Sequence, residues 1–352
     1  MHHRTQVPLA PLTTLKIGGP AARMADLERE ADVVDAVRQA DRDGAALFVL
    51  GEGSNVVVGD AGFPGLVARM LARGIEARRE GDRVVVEVAA GEPWDAFVAR
   101  AIDEGWRGVE CMSGIPGLVG GTPIQNVGAY GQEVGETITA VRAFDRAAGA
   151  FVDLGREACG FGYRASVFKR SDRWIVTGVR FEFERASSSA PLRYAELTTA
   201  LGVEAGARVP LGIARDAILA LRRRKGMVVD PGDPDSVSAG SFFVNPVVDA
   251  LALASVEERA GERPPRFDAG GGRHKLAAAW LVERAGFPKG WGGGRVGVST
   301  KHALSLVNRG GATAGELLAA ARTIRDGVRS RFGVELEPEP VLVGCSWKEE
   351  GL

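Results

Sequence analysis

The feature that most constrains this chain is an uncharged, glycine-rich stretch in residues 111–131. It reads CMSGIPGLVGGTPIQNVGAYG, and no charged residue lies between Glu110 and Glu133. Glycine has no Cβ, so its backbone N–H groups can approach a phosphate or a ring closely, and it adopts positive φ at no steric cost. We therefore interpret the stretch as the floor of a cofactor site. A set of surface turns is the alternative that the same residues allow.

Composition excludes several classes of protein. The 352 residues suffice for two or three domains, and the net charge of −1 argues against a nucleic-acid binder. The sequence has neither an apolar run long enough to span a bilayer nor a secretory signal, so we expect a cytoplasmic protein that is not inserted in a membrane. Three widely separated cysteines predict neither a disulfide framework nor a CxxC metal site. His274 and His302 also lack metal-ligand spacing.

The pattern of short helices and strands predicts an α+β fold, because strict β-α-β alternation is missing. An apolar strand over residues 46–50 leads into Gly51-Glu-Gly-Ser-Asn55. A Rossmann phosphate loop needs a third glycine and a following helix, whereas residues 56–58 continue as a strand. We therefore expect a strand–turn–strand nest of N–H donors that could hold a diphosphate. Further strands are predicted at 83–90, 140–145, 150–154, 174–184 and 334–344.

Helices are predicted from their apolar spacing at residues 31–43, 93–104, 213–224 and 275–286. A capping box, Thr313-x-x-Glu316, opens another helix, which is closed by Gly333. Its inward-facing side chains are expected to be Leu317, Ala321, Ile324, Val328 and Phe332. The basic cluster at 222–225 is either the solvated end of a helix or a ligand site. The turn-rich residues 230–236 suggest a domain boundary near 226.

Several polar side chains stand in contexts that suit chemistry. Tyr130, Tyr163 and Tyr194 either supply rings and phenol donors to a cofactor site or are ordinary half-buried tyrosines. Arg164 lies in a glycine-punctuated loop with aromatic neighbours, so its guanidinium could be placed for a carboxylate. Ser241 precedes two phenylalanines and is either a satisfied turn residue or a proton donor. No GxSxG elbow surrounds Ser241, which argues against a hydrolase triad.

Five motifs together resemble the UDP-N-acetylenolpyruvoylglucosamine reductase (MurB) family. They cover nearly the whole chain in the family's order, and their combination is specific. The sequence around Tyr194, Leu-Arg-Tyr-Ala-Glu-Leu, resembles the type I group, in which a tyrosine loop folds over the substrate. The motifs are Gly51-Glu-Gly-Ser-Asn55, the run from Ile115 to Gly131, Tyr163-Arg-x-Ser-x-Phe-Lys169, Gly240-Ser-Phe-Phe-Val-Asn-Pro246 and the final Glu-Pro-Glu339.

This resemblance implies a FAD-binding domain of the vanillyl-alcohol-oxidase (PCMH) type, made of two α+β lobes, and a separate α+β substrate-binding domain. The first lobe would span residues 1–72 and the second 73–226, completed by 331–352, with the substrate domain at 227–330. The family uses NADPH to reduce UDP-N-acetylglucosamine enolpyruvate to UDP-N-acetylmuramate, with hydride passing through FAD. That step serves peptidoglycan biosynthesis and, through it, cell shape and division. We expect a monomer that binds small molecules and no nucleic acid.

The resemblance also assigns residues. Arg164, Ser241 and Glu339 match the catalytic positions. The FAD-binding set is Gly51, Glu52, Gly53, Ser54, Asn55, Ile115, Gly117, Gly121, Thr122, Pro123, Gln125, Asn126, Gly128 and Tyr130. The substrate-binding set is Tyr163, Tyr194, Lys225, Asn245, Lys289 and His302. The chain departs from the family pattern at Pro340-Val341, where an arginine often follows, and at His302, where some relatives have glutamine.

The chemistry explains these residue types. Hydride adds to an enol ether only if the charge that develops next to the carboxylate is stabilised, which Arg164 could do. We expect Glu339 to be a protonated hydrogen-bond donor and Ser241 to deliver the final proton. Two other interpretations stay open. One is a different flavin oxidoreductase of this fold, for example a sugar or hydroxy-acid oxidase in which Cys111 could tether the flavin; the other is a non-catalytic nucleotide-binding module.

Overall fold

The computed structural model describes residues 3–348 and divides the chain into two compact units. The first contains the described residues of Met1–Val7, Ala21–Glu52 and Pro64–Arg223, and the second those of Pro8–Pro20, Gly53–Phe63 and Arg224–Leu352. The observed break at Arg223 lies close to the expected boundary near 226. The C-terminal segment, assigned above to the second lobe, belongs with residues 224–330 in this division. The three-part division into 1–72, 73–226 and 227–330 stays a prediction.

Strands and helices alternate irregularly along both units. The strands are β1 (Arg4–Pro8), β2 (Pro20–Leu27), β3 (Leu47–Leu50), β4 (Val56–Val58), β5 (Phe63–Met70), β6 (Ile75–Glu80), β7 (Arg83–Ala89), β8 (Trp106–Arg107), β9 (Gly128–Ala129), β10 (Gln132–Glu133), β11 (Ile138–Asp145), β12 (Ala150–Gly155), β13 (Trp174–Arg185), β14 (Ser238–Ser241), β15 (Val247–Val248), β16 (Arg266–Asp268), β17 (His274–Leu276), β18 (Val296–Val298), β19 (Ser305–Asn308) and β20 (Val341–Val343). The helices are α1 (Glu30–Arg42), α2 (Trp94–Asp103), α3 (Ala195–Leu201), α4 (Leu211–Arg224), α5 (Ala250–Ala260), α6 (Ala278–Arg284) and α7 (Ala314–Phe332).

The first unit is built on two sheets. One has the order β1-β2-β5-β3, with β3 and β5 parallel, and the other has the order β12-β11-β13-β7-β6, all antiparallel, with β8 beside β13. Helix α2 packs on β13 because its buried residues recur at helical spacing while Phe181 and Phe183 alternate on one face of the strand. The ring centroids of Phe97 and Phe181 are 5.1 Å apart. Each large side chain buried in this way contributes roughly 1.5–3 kcal/mol.

The second unit combines small sheets with the long helix α7. Its sheets are β14-β19-β18, β15-β17-β16 and the parallel pair β20-β4. The predicted capping box is confirmed: the Glu316 backbone N–H donates to Thr313 Oγ1 at 3.1 Å, and the Thr313 N–H donates to Glu316 Oε2 at 2.9 Å. Gly333 ends α7 in the left-handed conformation. All five side chains predicted to face inward on this helix are buried.

Two sequence predictions were wrong in extent. The helix expected over residues 275–286 begins only at Ala278, because His274–Leu276 pairs with β15 and β16. The strand expected over 334–344 is reduced to Val341–Val343. Pro338 and Pro340 lack the N–H groups that a regular ladder requires, so residues 334–340 make only isolated contacts with the segment after Ser241.

Helix α7 offers a test of its packing. A Cβ built on Gly327 would lie 2.4 Å from Cε2 of Phe287, whereas one on Gly315 would meet nothing closer than 3.5 Å. We predict that Gly327→Ala lowers the free energy of unfolding by about 1–3 kcal/mol through overpacking. Gly315→Ala is the matched control and raises it by up to about 1 kcal/mol, because alanine favours the helix. Denaturant unfolding measures both, and equal effects of the two substitutions would contradict this account.

Candidate active site

The glycine stretch lies against the connection between β7 and α2 in the first unit. The N–H of Val119 donates to Glu92 O at 2.8 Å, and that of Gly120 donates to Ala90 O at 2.9 Å. A Cβ on Gly120 would lie 2.5 Å from that of Ala90, so this glycine is required by packing. Gly121 differs, since it is exposed and a Cβ there would meet no atom within 4 Å. The protein itself leaves the space beside Gly121 open.

Two buried polar side chains hold the start of the stretch and the backbone beside it, and the sequence analysis did not find them. Gln132 Oε1 accepts the N–H of Cys111 at 2.8 Å, and the carboxylate of Glu110 accepts those of Gly108 and Ala190, both at 2.7 Å. Glu110 is fully buried. The only signal in the sequence was the position of Glu110 and Gln132 at the two ends of an uncharged run.

Asp95 supplies a further anchor from helix α2. Its Oδ1 accepts the N–H of Gly114 at 2.6 Å, and Arg215 on α4 binds both carboxylate oxygens at 2.6 and 2.9 Å. Burial favours a higher pKa for Asp95, but the hydrogen bonds from Arg215 and Gly114 outweigh it and lower the pKa below its ordinary value. The carboxylate is therefore ionised near neutral pH and fixes the start of the stretch.

Asn126 joins the glycine stretch to the loop that carries Arg164. Its Nδ2 donates to Glu133 Oε2 at 2.8 Å and to Gly162 O at 3.1 Å, and its Oδ1 accepts the N–H of Gly135 at 2.9 Å. Because these three hydrogen bonds go to other parts of the protein, the Asn126 side chain supports the backbone of the candidate FAD surface. Its φ of 47° is a left-handed conformation that asparagine tolerates better than most residues.

Arg164 is fixed by the same stretch. Its Nη2 donates to Gly128 O at 3.0 Å, and Lys169 Nζ donates to Arg164 O at 2.8 Å. Ser166 Oγ donates to Ile124 O at 2.6 Å, which gives the loop a second attachment. The half-buried guanidinium lies 5.5 Å from the centroid of the exposed Tyr163 ring, and Arg164 itself has a φ of 50°. Hydrogen bonds from Arg164 and Ser166 therefore attach the loop to the glycine stretch.

Tyr194 contacts Tyr130 at the N-terminus of helix α3. The two rings meet edge to face with centroids 5.3 Å apart. Burial, with a smaller effect from the charge of Glu196, raises the pKa of Tyr194, so its phenol stays protonated near neutral pH and remains a hydrogen-bond donor. The predicted substrate tyrosine and the predicted flavin tyrosine are thus brought together.

The Gly51–Asn55 motif contributes to both units. In the first, Glu52 Oε2 accepts the N–H of Gly117 at 2.8 Å, which joins the two predicted FAD segments. In the second, Gly53 has φ +64°, and a Cβ there would lie 2.2 Å from the carbonyl oxygen of Leu12. Strand β4 follows, as predicted, so the Rossmann interpretation stays rejected.

Ser241 and Glu339 lie on neighbouring segments of the second unit. The Glu339 N–H donates to Phe242 O at 2.8 Å, and Phe243 and Pro338 form an antiparallel bridge. Ser241 ends β14, and its half-buried hydroxyl lies 3.4 Å from Nε2 of His302. The structure therefore places Ser241 beside His302 and Glu339 on a segment hydrogen-bonded to the residue after Ser241, while Arg164 belongs to the first unit.

The remaining substrate-binding candidates are spread over the second unit. Lys225 follows α4 and is half-buried, and Lys289 is exposed beside Gly290, whose N–H donates to Ser299 O. Asn245 Oδ1 caps α6 by accepting the Ala278 N–H at 2.9 Å, so part of its side chain is structural. The basic cluster is not simply solvated, because Arg222 is buried.

The surface beside Gly121 leaves room for a ligand. Gly121 is exposed with open space beside it and an ordinary φ, so its lack of a Cβ serves no contact or backbone need inside the protein. Cys111 does not suit a covalent flavin link, since the thiol is buried and burial raises its pKa. Over residues 3–348 no helix is long and apolar enough to cross a membrane, and no cluster of three potential metal ligands occurs.

Two parts of the chain match family models of known proteins. Residues 21–155 match the family model of a FAD binding domain, and residues 233–343 match that of the UDP-N-acetylenolpyruvoylglucosamine reductase C-terminal domain. The UDP-N-acetylenolpyruvoylglucosamine reductase of Thermobifida fusca is 53% identical over 97% of this chain and 98% of its own. That of Streptomyces coelicolor is 52% identical over 96% and 90%.

The chain belongs to the UDP-N-acetylenolpyruvoylglucosamine reductase family. The crystal structure of the Thermus caldophilus member (MurB) aligns with a TM-score of 0.65 and 26% identity over 97% of this chain and 98% of that one. These matches confirm the predicted family and the predicted α+β fold class with its FAD-binding domain. They also confirm the predicted enzyme class, a FAD-containing oxidoreductase of peptidoglycan precursor synthesis (UDP-N-acetylmuramate dehydrogenase).

Substitutions of the adjacent residues Gly120 and Gly121 distinguish an effect on packing from an effect on FAD binding. We predict that Gly121→Ala weakens FAD binding at least about tenfold, since a methyl group would fill the open space, a loss of about 1.4 kcal/mol. The stability of the flavin-free protein changes by less than about 0.5 kcal/mol. Gly120→Ala is the control and destabilises the flavin-free protein by about 1–3 kcal/mol. Flavin titration and denaturant unfolding give both numbers, and unchanged FAD affinity in Gly121→Ala would remove this residue from the cofactor site.

Proposed function

We propose that the chain uses NADPH to reduce UDP-N-acetylglucosamine enolpyruvate to UDP-N-acetylmuramate, with Arg164, Ser241 and Glu339 as its catalytic residues. The observation that supports this most is the placement of the Ser241 hydroxyl beside His302, on a segment hydrogen-bonded to that of Glu339. FAD, when bound, supplies the hydride transfer, and NADPH is its reductant in this proposal. The fourteen residues assigned to FAD from the sequence remain part of the proposal.

Arg164 acts on the carboxylate of the enolpyruvyl group. Addition of hydride to the terminal carbon places negative charge on the adjacent carbon and, by conjugation, on that carboxylate. A guanidinium held in one position stabilises this charge without reorganising at the moment of reaction. The hydrogen bond to Gly128 O and the attachment of the loop through Ser166 support this role, because they leave Arg164 little freedom.

Ser241 completes the reaction by donating a proton to the carbon left negative. A hydroxyl is a weak acid, but the carbon is a strong base, so placement matters more than acidity. The buried rings of Phe242 and Phe243 follow Ser241 directly and limit the water around it. Nε2 of His302 at 3.4 Å is positioned to orient the hydroxyl.

Glu339 is assigned a hydrogen bond to the developing enolate. Its backbone N–H is held by Phe242 O, so the half-buried side chain starts from a fixed point on the segment beside Ser241. The flexible cations Lys225 and Lys289 suit the diphosphate of the UDP-sugar as point charges. Tyr163, Tyr194, Asn245 and His302 complete the proposed substrate set. A cytoplasmic location and a monomeric state remain predictions.

The two half-reactions test the role of Ser241. We predict that in Ser241→Ala the flavin is bleached by NADPH at the wild-type rate, because no carbon is protonated in that step. Reoxidation by the enolpyruvyl sugar slows by about 10²–10⁴-fold, the range lost with a general acid. Stopped-flow absorbance measures each step, and Ser330→Ala on the exposed side of α7 is the control. Equal losses in both half-reactions would point to a structural role and contradict the proposal.

A further inference from the structure

A buried carboxylate outside the assigned site connects three of its segments. Asp235 lies in the 3-10 turn Pro234–Ser236, directly before β14, and only 6% of it is exposed. The sequence of this region suggested a nearby domain boundary, because Asp-Pro-Gly-Asp-Pro-Asp is typical of turns. In the structure, hydrogen bonds within residues 230–236 hold the turn. Ser236 Oγ donates to Asp230 O at 2.8 Å, and the Asp235 N–H donates to Asp233 Oδ1 at 3.1 Å.

The first connection runs to the turn that carries His302. Asp235 Oδ1 accepts the N–H of Thr300 at 2.9 Å, and its Oδ2 accepts the Thr300 hydroxyl at 2.5 Å. Within this turn Ser299 Oγ accepts the N–H groups of Lys301 and His302 at 3.0 and 3.2 Å. Both oxygens of one carboxylate therefore bind Thr300, one through its backbone N–H and one through its hydroxyl, two residues before His302.

The second and third connections run to Ser241 and Lys225. Strand β14 begins three residues after Asp235 and ends at Ser241, where the side chain meets His302. Gly226, which follows Lys225, has φ +64°, and a Cβ there would lie 2.9 Å from Cβ of Asp235 and 3.1 Å from its carbonyl oxygen. The backbone next to Lys225 thus packs directly on Asp235.

The electrostatics keep this carboxylate charged. Burial alone would raise the pKa of Asp235, but hydrogen bonds from Thr300 and Ser299 and the nearby charge of Lys301 outweigh it and lower the pKa. An ionised acceptor makes stronger hydrogen bonds than a neutral one. Replacement by the neutral amide of asparagine keeps the shape but leaves one acceptor oxygen where Asp235 uses two.

We propose that Asp235 is a positioning residue for the reaction, which holds the segments of Lys225, Ser241 and His302 in one arrangement. This inference rests on the proposed function, since it gives those three residues their roles. Asp235 does not itself touch the substrate. It acts through Thr300 and Gly226, so its removal changes the placement of reacting groups rather than their chemistry.

The test compares Asp235→Asn with Asp60→Asn in the flavin-loaded enzyme. Asp60 is the control for the loss of two hydrogen bonds. Its exposed carboxylate accepts two groups in the second unit, the N–H of Ala314 at 2.7 Å and of Gly315 at 3.0 Å, but it connects none of the three segments. We expect Asp235→Asn to slow reoxidation by the enolpyruvyl sugar at saturating substrate by about 10–100-fold, as misplacement does, and to slow bleaching by NADPH much less. Asp60→Asn is expected to lower the melting temperature without changing the ratio of the two rates.

Substitutions of Thr300, which is exposed, test the same Asp235–Thr300 contact from its other partner. Thr300→Val removes the hydroxyl and is expected to reproduce a part of the Asp235→Asn defect, while Thr300→Ser restores the wild-type ratio of rates. If Asp60→Asn shifts that ratio equally, or if Asp235→Asn and Thr300→Val both leave it unchanged, Asp235 is structural only and the inference is wrong. If Ser241→Ala itself reoxidises at the wild-type rate, the proposed function is wrong independently of Asp235.

Discussion

The backbone of the glycine stretch must find hydrogen-bond partners where almost no charged side chain is available locally. Unpaired N–H and C=O groups are costly when buried, and side chains from outside the stretch meet part of this demand. Gln132 accepts the N–H of Cys111, Asp95 that of Gly114 and Glu52 that of Gly117. Asn126, within the stretch, uses its side chain to bind the N–H of Gly135 and the carbonyl of Gly162. The Arg164 loop is positioned through these contacts, so the placement of the proposed catalytic Arg164 depends on how the glycine stretch is supported.

In the second unit, backbone hydrogen bonding is limited by prolines in the C-terminal segment. Pro338 and Pro340 prevent a continuous ladder, yet the Glu339 N–H still reaches Phe242 O, which sets Glu339 beside the segment of Ser241. Asp235 binds the Thr300 turn, which carries His302 next to Ser241. Side-chain hydrogen bonds hold the Arg164 loop in the first unit, and a backbone hydrogen bond holds Glu339 in the second. Such fixed placement of candidate catalytic groups is the preorganisation that electrostatic catalysis requires.

Local signals predicted the regular elements well. The capping box and five-residue stripe of α7 and the alternation of β13 define their elements because each depends only on neighbours in sequence. The motifs gave a set of candidate site residues, but the contacts of these residues were not predictable. Nothing in the spacing shows that Asn126 is engaged inside the protein, that Arg222 in the basic cluster is buried, or that Asp235 binds Thr300 sixty-five positions away. Such pairs are created by tertiary packing.

The most direct test follows the colour of the flavin-loaded protein without oxygen. NADPH is expected to bleach the flavin absorbance, and addition of UDP-N-acetylglucosamine enolpyruvate is expected to restore it with formation of one equivalent of UDP-N-acetylmuramate, heavier than the substrate by two hydrogens. Reoxidation that requires oxygen and leaves the enolpyruvyl sugar unchanged would instead indicate an oxidase. That result would contradict the roles given to Arg164, Ser241 and Glu339.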